Sequence, residues 1–540
     1  MKTLSPLGLV LLAWLPAAPL IQARAADWSG QDADQVISCD DDKYARAVQL
    51  VAAEDGSAVH AFWTEDIVWD AEIHYGRSID EGETWSSSLT DRVISFPDGQ
   101  AMLDECAAAM NPVTGSLIIV WSEDAISTRE IHFGVSHDQG TTWSCETADQ
   151  ILSDPATAVD AGIPSIACDL DGVFHVVWHQ LSGETAEVHY SRSADGGATW
   201  SGMTGDQVIS FPDGTSALDP QITACEDHLF VVWHETGDSG KKTVHVGISS
   251  DDGLTWSSAT ADREICQPPT LIGDLALAAA PYSHEEGIHV VYKASFDTSS
   301  PYHYEIYATS SFDLGVTWTG ESVNTPVSHD EGGGRSAHNP DVTVRGALGP
   351  CAVWDEEEDT AGSKEQHFSF FEVAGWSGAS EDYVISLPDG ENGYRPSIVG
   401  ADVIVVPGRG DRATVAAWVA WTEFAGDKDN YEVHLSRYST GPGAIPQAPS
   451  RTVQRISAVP SPARDRLTLE LHVAGSGPLA VEIIDANGRC VRHWRLSASP
   501  GPLDIPWDGR DRWGRPLSRG CYFARLRSAD GQQSVPLVIF

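Results

Sequence analysis

Short apolar runs alternate with turn-forming residues along 26–442, and the order of the runs is the same each time. A first strand-like segment such as "PSIACD" is followed by an apolar run with a tryptophan near its end, as in "FHVVWHQ". A run of alternating polarity comes next, as in "EVHYSRS", and a last short run completes the group, as in "DQVIS". Runs of about four to eight such residues between turn residues are typical of β-strands. The pattern predicts an all-β region built from four-stranded units.

The units repeat with a nearly constant length. A tryptophan after the third run marks each of them, at Trp85, Trp143, Trp200, Trp256, Trp318 and Trp376. Successive markers are 56 to 62 residues apart. Four β-type runs at this period predict one β-propeller blade per unit.

The two ends of the repeat region complete each other. The second and third runs occur seven times. In the last group they are followed by "STGPGAIPQAPS", and no fourth run is found there. The missing run is found in "DWSGQDADQVIS", residues 27–38, where Trp28 precedes Trp85 by 57 residues. We therefore expect a seven-bladed β-propeller over residues 26–442, in which the N-terminal strand closes the last blade and removes the exposed sheet edges.

The turn after the third run has the pattern Ser-x-Asp-x-Gly-x-Thr-Trp. Its Gly supplies a positive φ, its Asp accepts hydrogen bonds from turn amides, and its Trp packs against the blade. The five intact copies carry the aspartates Asp80, Asp138, Asp195, Asp251 and Asp313. These turns resemble the Asp-box, or BNR repeat, of sialidases and related propellers. The resemblance implies a propeller fold and places the turns on the face away from the active site, so we expect a structural role for them.

A second module follows a Pro- and Gly-rich linker at 443–453 and covers residues 454–540. Short alternating runs with Asn-Gly and Asp-Gly turns predict a small β-sandwich there. The pattern W-D-G-x-D-x-x-G…G-x-Y is formed by Trp507, Asp508, Gly509, Asp511, Gly514, Gly520 and Tyr522. This module resembles the FlgD-like Ig-like domain at the ends of secreted bacterial proteins. The resemblance implies contact with an export machinery or attachment to the cell surface.

The start of the chain and its charge indicate an extracellular protein. Residues 1–25 combine Lys2, the apolar run "LGLVLLAWLPAAPL" and a final "ARA", which is the pattern of a cleaved signal peptide. The 540-residue chain holds 78 acidic and 33 basic residues, a net charge of −45. Such a surface repels nucleic acid and anionic membranes. We expect a secreted or cell-surface protein that binds no nucleic acid and does not insert into a membrane.

Function in a propeller usually lies on the face formed by the connections between blades and between the second and third strands. The residues that follow the apolar second runs are candidate ligand-binding residues on that face: Glu65, Glu123, His179, His234 and Glu235. The acidic run from Asp355 to Asp359 offers the oxygen ligands that calcium prefers, although a solvated loop is the simpler interpretation. We expect no other cofactor. The histidines of the E-[IV]-H runs recur once per blade around the ring, which favours a packed, hydrogen-bonded layer over a common metal site.

The resemblance to sialidases implies an alternative site. Such enzymes hold the substrate carboxylate with three arginines and use a Tyr nucleophile with a Glu partner. Arg46, Arg335 and Arg395 lie near the starts of blades one, six and seven, which are adjacent in a closed ring, with Tyr394 and Glu423 as neighbours. Against this hypothesis, the F-R-I-P motif of the family is absent, sialidase propellers have six blades, and the candidate face is acidic.

The sequence thus favours a secreted or cell-surface bacterial propeller that binds an extracellular glycan or surface protein without catalysis. The C-terminal module would serve export or anchoring. The alternative is a sialidase-like exo-glycoside hydrolase that uses the arginine clamp, and an architectural surface protein is a third hypothesis.

Overall fold

The computed structural model describes residues 28–29, 35–39 and 43–539 with gaps, of which 401–413, 441–452 and 460–466 are the longest. The expected signal peptide, most of the expected linker, Asp359, Asp511 and Gly514 lie outside the described residues. The described secondary structure consists of β-strands and short 3-10 helices of three or four residues. None of the described helices has the length and hydrophobicity to cross a membrane. The chain is all-β, as the sequence predicts.

The strands of the repeat region follow the predicted order of runs. They are β1 (Gln35–Val36), β2 (Tyr44–Ala52), β3 (Val59–Asp66), β4 (Glu72–Ser78), β5 (Arg92–Val93), β6 (Met102–Met110), β7 (Leu117–Ala125), β8 (Thr128–Ser136), β9 (Gly162–Cys168), β10 (Phe174–Ser182), β11 (Thr185–Ser193), β12 (Gln207–Val208), β13 (Leu218–Cys225), β14 (His228–Thr236), β15 (Lys242–Ser249), β16 (Arg263–Glu264), β17 (Leu271–Ala279), β18 (Ile288–Ser295), β19 (Glu305–Ser311), β20 (Thr325–Pro326), β21 (Ala337–Thr343), β22 (Cys351–Glu357), β23 (Lys364–Glu372), β24 (Gly375–Trp376), β25 (Tyr383–Val384), β26 (Gly393–Gly400), β27 (Thr414–Ala425) and β28 (Asn430–Thr440).

These strands pair antiparallel in small groups, which we call units one to seven, and a parallel bridge between Tyr44 and Tyr431 joins units one and seven. Unit one is β2–β5, unit two β6–β8, unit three β9–β12, unit four β13–β16, unit five β17–β20, unit six β21–β25, and unit seven β26–β28 with β1. Gln35 of β1 lies opposite Leu435 of β28, and Trp28 forms a bridge with Tyr438. The first strands of neighbouring units contact each other in the order β2, β6, β9, β13, β17, β21, β26 and again β2. This arrangement is consistent with a propeller-like fold.

The hydrophobic core lies between neighbouring units. The second strands bury the large side chains Trp63, Trp121, Trp178, Trp233, Trp354 and Trp421. Trp178 of unit three, for example, belongs to one cluster with Ile118 and Val120 of unit two. A strand covered on both faces needs a continuous apolar run. Packing between units therefore explains why the second runs do not alternate in polarity.

Strand register defines two ends of each unit. In unit one, Tyr44 at the start of β2 lies opposite Asp66 at the end of β3, and Glu65 lies opposite Glu72 at the start of β4. The first and third strands therefore begin where the second strand ends, and we call this end the upper face. The Ser-x-Asp-x-Gly-x-Thr-Trp turns follow the third strands and lie at the other end, the lower face.

The five lower-face turns share one hydrogen-bonding pattern. In unit three, Ser193 Oγ donates to Asp195 Oδ1 at 2.8 Å, and Asp195 also accepts from the backbone N–H and the hydroxyl of Thr199 at 2.9 and 2.6 Å. The equivalent aspartates make the same contacts in their own turns. Partial burial raises the pKa of Asp195, but these hydrogen bonds outweigh it and the pKa is lowered.

The glycine of each turn also allows a close approach between units. Gly253 of unit four has φ +78°, and a Cβ at this position would lie 1.9 Å from the Tyr190 hydroxyl oxygen of unit three. Gly140 of unit two stands in the same relation to Tyr75 of unit one, at 1.7 Å. The turn glycine is therefore needed both for its backbone conformation and for the fit of one unit against the next.

The C-terminal module contains β29 (Val453–Val459), β30 (Leu467–Val473), β31 (Gly477–Asp485), β32 (Cys490–Ala498), β33 (Gly501–Trp507), β34 (Gly520–Ser528) and β35 (Gly531–Ile539). These strands form two sheets, β29-β30-β33 and β32-β31-β34-β35. Leu469, Trp507, Val481 and Leu526 of the two sheets belong to one buried cluster. The alternating runs of this module thus bury one side of each sheet in a common core.

Candidate functional site

A layer of buried tryptophan and carboxylate side chains lies beneath the upper face. In five units the indole N–H at the end of the second strand donates to the glutamate two residues later. These bonds run from Trp63 to Glu65, Trp121 to Glu123, Trp233 to Glu235, Trp354 to Glu356 and Trp421 to Glu423, at 2.6 to 2.9 Å. In unit three the acceptor is Gln180, 3.0 Å from Trp178. The structure therefore places Glu65, Glu123 and Glu235 in contacts within their own units.

The recurrent histidines of the third strands stand beside these glutamates. His74 Nδ1 lies 3.5 Å from Glu65 Oε1, and His434 Nδ1 lies 3.5 Å from Glu423 Oε1. The His74 ring also lies 6.1 Å from the Trp63 ring. Each histidine therefore faces a carboxylate of its own unit, and the histidines of different units do not share one centre.

Unit four combines this pair with Asp262, which directly precedes its fourth strand. One ligand atom each of Glu235, His245 and Asp262 lies within 4.8 Å of the others. Burial raises the pKa of Asp262 to about 7, with the Glu235 carboxylate adding to the shift and the Phe211 amide opposing it. Two facing carboxyl groups in unit four therefore resist being charged together.

Three tyrosines meet on the upper face where units seven and one adjoin. The Tyr431 ring lies 6.2 Å from Tyr44 and 6.1 Å from Tyr394, and Phe424 packs edge-on against Tyr431 at 5.4 Å. Lys364 of unit six lies 5.1 Å over the Tyr394 ring. All three tyrosines are partly exposed. We call Tyr44, Tyr394 and Tyr431 the tyrosine cluster.

The surroundings of Tyr394 and Tyr431 keep these two phenols protonated. Burial raises the pKa of Tyr394, and the Asp355 carboxylate adds to the shift. Burial also raises the pKa of Tyr431. Glu423, the expected partner of Tyr394, accepts from Trp421 in the buried layer at 2.7 Å. Protonated phenols suit stacking and hydrogen bonding, whereas a nucleophile needs a lowered pKa or an adjacent base.

Asp355 is a buried polar residue next to the tyrosine cluster, in contact with Lys364. This fully buried carboxylate accepts from Lys364 Nζ at 2.9 Å, from Asn339 Nδ2 at 2.7 Å and from the backbone N–H of Arg395 at 3.2 Å. Its charge is thus balanced by Lys364, and protein donors contact both of its oxygens. A calcium site formed by Asp355 and Asp359 stays a prediction, because Asp359 lies outside the described residues.

The three arginines of the sialidase hypothesis occupy different positions. Arg46 is exposed and lies close enough to Tyr431 to oppose the rise of its pKa. Arg395 has φ +51° in the first strand of unit seven, directly after Tyr394. Arg335 is half-buried and precedes β21 of unit six. Arg46 is therefore a spatial neighbour of the tyrosine cluster through Tyr431, and Arg395 is its neighbour along the chain through Tyr394.

A second polar cluster joins units three and four on the upper face. Asp219 Oδ2 makes a short contact with His234 Nε2, and His179 is close enough for Asp219 to influence it. Burial lowers the pKa of His179, and the Asp219 carboxylate opposes that shift. Burial raises the pKa of Asp219, but the contact with His234 outweighs it and the pKa is lowered. An aspartate beside two imidazoles is an arrangement that supports proton transfer.

Sequence reasoning missed Tyr431, Lys364 and Asp219. Tyr431 and Lys364 occupy the same repeat position, directly before the glutamate of the third strand. The seven residues at that position are Ala71, Arg129, Ala186, Lys242, Tyr304, Lys364 and Tyr431. This position varies among units while its neighbours repeat, and the variation was visible in the sequence.

The repeat region matches a family of known domains. The family model described as "BNR repeat-like domain" matches residues 33–258. No curated protein matches the sequence.

Solved structures with sialidase and arabinanase activity in their names are similar to this chain. The Hadza microbial sialidase Hz136 is 16% identical, with 58% of this chain and 63% of that chain covered and a TM-score of 0.40. The Penicillium chrysogenum alpha-L-arabinanase complexed with arabinobiose is 15% identical, with 74% and 97% covered and a TM-score of 0.43. The Trypanosoma rangeli sialidase is 9% identical, with 91% and 84% covered and a TM-score of 0.39. The chain spans less than two thirds of Hz136, and at these identities no activity carries over.

Proposed function

We propose that the chain is a seven-bladed, closed propeller whose upper face binds an extracellular glycan at the tyrosine cluster. The pairing of β1 with β28 and the cyclic contacts among the first strands support the number of blades. Export through a signal peptide and the extracellular location belong to the same proposal.

The convergence of Tyr44, Tyr394 and Tyr431 from separate segments carries this proposal. Their partly exposed rings offer apolar surface to the C–H face of a sugar, and their hydroxyls offer hydrogen bonds. Lys364 and Arg46 add donors for sugar oxygens at the edge of the cluster. Apolar surface with a few convergent polar groups is the general character of small-ligand sites.

The proposal assigns binding, and not hydrolysis, to the tyrosine cluster. Most glycoside hydrolases place two carboxyl groups about 5–9.5 Å apart on either side of the scissile bond. The nearby carboxylates, Asp355 and Glu423, are buried and accept from Lys364 and Trp421. Neither is set up as a general acid or base toward a ligand on the tyrosine rings.

A second candidate function is a glycoside hydrolase or another enzyme that uses acid–base chemistry at Asp219, His179 and His234. The short contact between Asp219 and His234 is the observation that favours it. The Nδ1 atoms of His179 and His234 are buried and have no hydrogen bond within the described residues.

We further propose that the FlgD-like C-terminal module serves export or anchoring and leaves the upper face open. His493 of this module lies 2.8 Å from Asp227 and 3.4 Å from Asp171. Both aspartates lie in hairpins between the first and second strands, on the lower face. A contact there keeps the module away from the tyrosine cluster.

A glycan array probed with the full chain, with and without calcium, tests the proposal. Calorimetry with a bound glycan should show at least about tenfold weaker binding for Tyr394→Ala and Tyr431→Ala. Tyr302→Ala is the matched control, since this exposed tyrosine lies outside the cluster. The proposal fails if the folded chain binds no glycan, or if the control weakens binding as much as the cluster variants.

Turnover of fluorogenic sialosides and arabinosides should be measured alongside. Turnover that is lost in His234→Gln would support the acid–base candidate. Turnover that is lost in Arg395→Ala would support the sialidase hypothesis and overturn a purely binding role.

A further inference from the structure

We propose that unit four binds one zinc ion through Glu235, His245 and Asp262. One ligand atom of each side chain lies within 4.8 Å of the others. Zinc takes imidazole nitrogen at about 2.0–2.1 Å and carboxylate oxygen at about 2.0–2.2 Å, often with three protein ligands and a water. At these zinc–ligand distances, the ligand atoms of a tetrahedral site are roughly 3.3 Å apart. Small side-chain movements would therefore bring the three ligand atoms to the separation that zinc needs.

The side chains around the three residues hold them in a ligating orientation. His245 Nε2 is 3.0 Å from Thr243 Oγ1, which fixes the imidazole ring from behind. Asp262 Oδ1 accepts from the backbone N–H of Phe211 at 3.1 Å. Asp262 Oδ2 is enclosed and accepts no hydrogen bond from the described residues. An enclosed carboxylate oxygen without a donor is costly, and a cation would satisfy it.

The equivalent cluster of unit one contacts a positively charged side chain. It has the same three residue types, Glu65, His74 and Asp91, with ligand atoms within 4.8 Å of one another. There Lys43 Nζ donates to Glu65 Oε1 at 3.1 Å and supplies a positive charge. In unit four the corresponding glutamate oxygen accepts from Thr215, which carries no charge.

The described ion pairs of Lys and Arg do not include Glu235 or Asp262. Unit four therefore holds two facing carboxyl groups, which resist being charged together, without the ammonium group that unit one has. Buried charges of one sign need a partner of the other sign. A divalent ion fits this requirement, and the imidazole favours zinc over calcium or magnesium.

An ion can reach the cluster from the upper face. Thr215 Oγ1, which contacts Glu235, also lies 2.8 Å from Asp213 Oδ1. Asp213 and Gly214 are exposed. The proposed ion thus lies one side chain below the surface, at a position separate from the tyrosine cluster.

Zinc binding by the metal-depleted full chain tests the proposal. Zinc affinity is measured by titrating Zn²⁺ in competition with a chromogenic chelator. We expect Asp262→Asn and His245→Gln each to lower this affinity by about 100-fold or more. Loss of a residue that only contacts a metal ligand already lowers metal affinity by about 10–100-fold. The matched control is Asp206→Asn in unit three, where Asp206 Oδ2 lies 3.7 Å from His189 Nδ1 and Gln180 replaces the glutamate. This control should leave zinc binding unchanged.

A gain of binding provides an independent readout. Lys43→Met removes the ammonium group from the unit-one cluster and should add a second zinc equivalent. Glu235→Gln serves if Asp262→Asn does not fold, because Gln180 shows that glutamine fits this position. The proposal is overturned if the wild-type chain binds no zinc, if it prefers calcium, or if Asp262→Asn and Glu235→Gln bind zinc as the wild type does.

Discussion

Trp121 donates its indole N–H to Glu123, two residues further along the same strand, at 2.6 Å, and both side chains are buried. Unit three makes the same contact with Gln180 as acceptor. The tryptophan thus needs an oxygen acceptor at the end of the second strand, and this acceptor need not be charged. The recurrence of the pair in successive units indicates that it holds the strand end in place.

We expect Glu123→Gln to change the free energy of unfolding by less than about 1 kcal/mol, because the amide oxygen still accepts from Trp121. Glu123→Leu should lower it by about 1–3 kcal/mol, since the buried indole N–H loses its acceptor. Urea denaturation of the two variants provides the measurement. Equal losses in both would show that the charge, and not the hydrogen bond, matters at this position.

Gly253→Ala should destabilise the contact between units three and four. A β-carbon there would lie 1.9 Å from the Tyr190 hydroxyl, and φ is +78°. Backbone strain and overpacking together cost about 2–5 kcal/mol. Gly183→Ala is the matched control, because Gly183 has the same φ and nothing within 4 Å, so only the backbone cost of about 1–2 kcal/mol applies. Thermal unfolding of both variants distinguishes the two contributions.

Asp195→Asn should weaken the lower-face turn of unit three in a pH-dependent way. The pKa of Asp195 is lowered in the folded chain. Its stabilisation is therefore full above the unfolded value near 3.9 and is lost as the pH falls through the lower folded value. We expect the variant to be less stable by about 1 kcal/mol at pH 7, a modest figure because the turn is exposed.

The stability difference between wild type and Asp195→Asn should shrink below about pH 4. Urea midpoints measured from pH 7 to pH 3 provide the test. A difference that stays constant over this range would contradict the role of the charged carboxylate.

His60 should make the folded chain less stable in mild acid. Burial lowers its pKa to about 3, with Arg77 adding to the shift. Below about pH 6.5 the unfolded chain takes up a proton that folded His60 does not, so stability is full above this pH and falls as the pH drops. Between pH 7 and pH 5 this one group accounts for a loss of about 2 kcal/mol.

The decrease in unfolding free energy from pH 7 to pH 5 should be smaller by about that amount in His60→Gln than in the wild type. The partly exposed His303, whose Nδ1 lies 3.0 Å from Asp297, provides the control variant, His303→Gln. The same decrease in wild type and His60→Gln would argue that His60 is protonated in the folded chain.

The sequence by itself determined the local structure. Runs such as "FHVVWHQ" became second strands because a continuous apolar run suits a strand that is covered on both faces. The turn around Asp195 follows from the sequence because its hydrogen-bonding partners, Ser193 and Thr199, lie within four residues. The sequence also indicated that the N-terminal "QVIS" would complete the last unit, and β1 indeed pairs with β28.

Only the tertiary structure decided which surface residues meet. Tyr44, Tyr394 and Tyr431 come from distant segments, and their contact depends on how unit seven packs against unit one. The facing carboxyls of Glu235 and Asp262 likewise depend on where the fourth strand of unit four pairs with the third. Local periodicity reports which residues share a strand face, whereas the approach of two side chains from different strands depends on register and on packing between units. A single sequence does not encode that geometry within any short window, and for this reason the tyrosine cluster and the unit-four cluster emerged only from the fold.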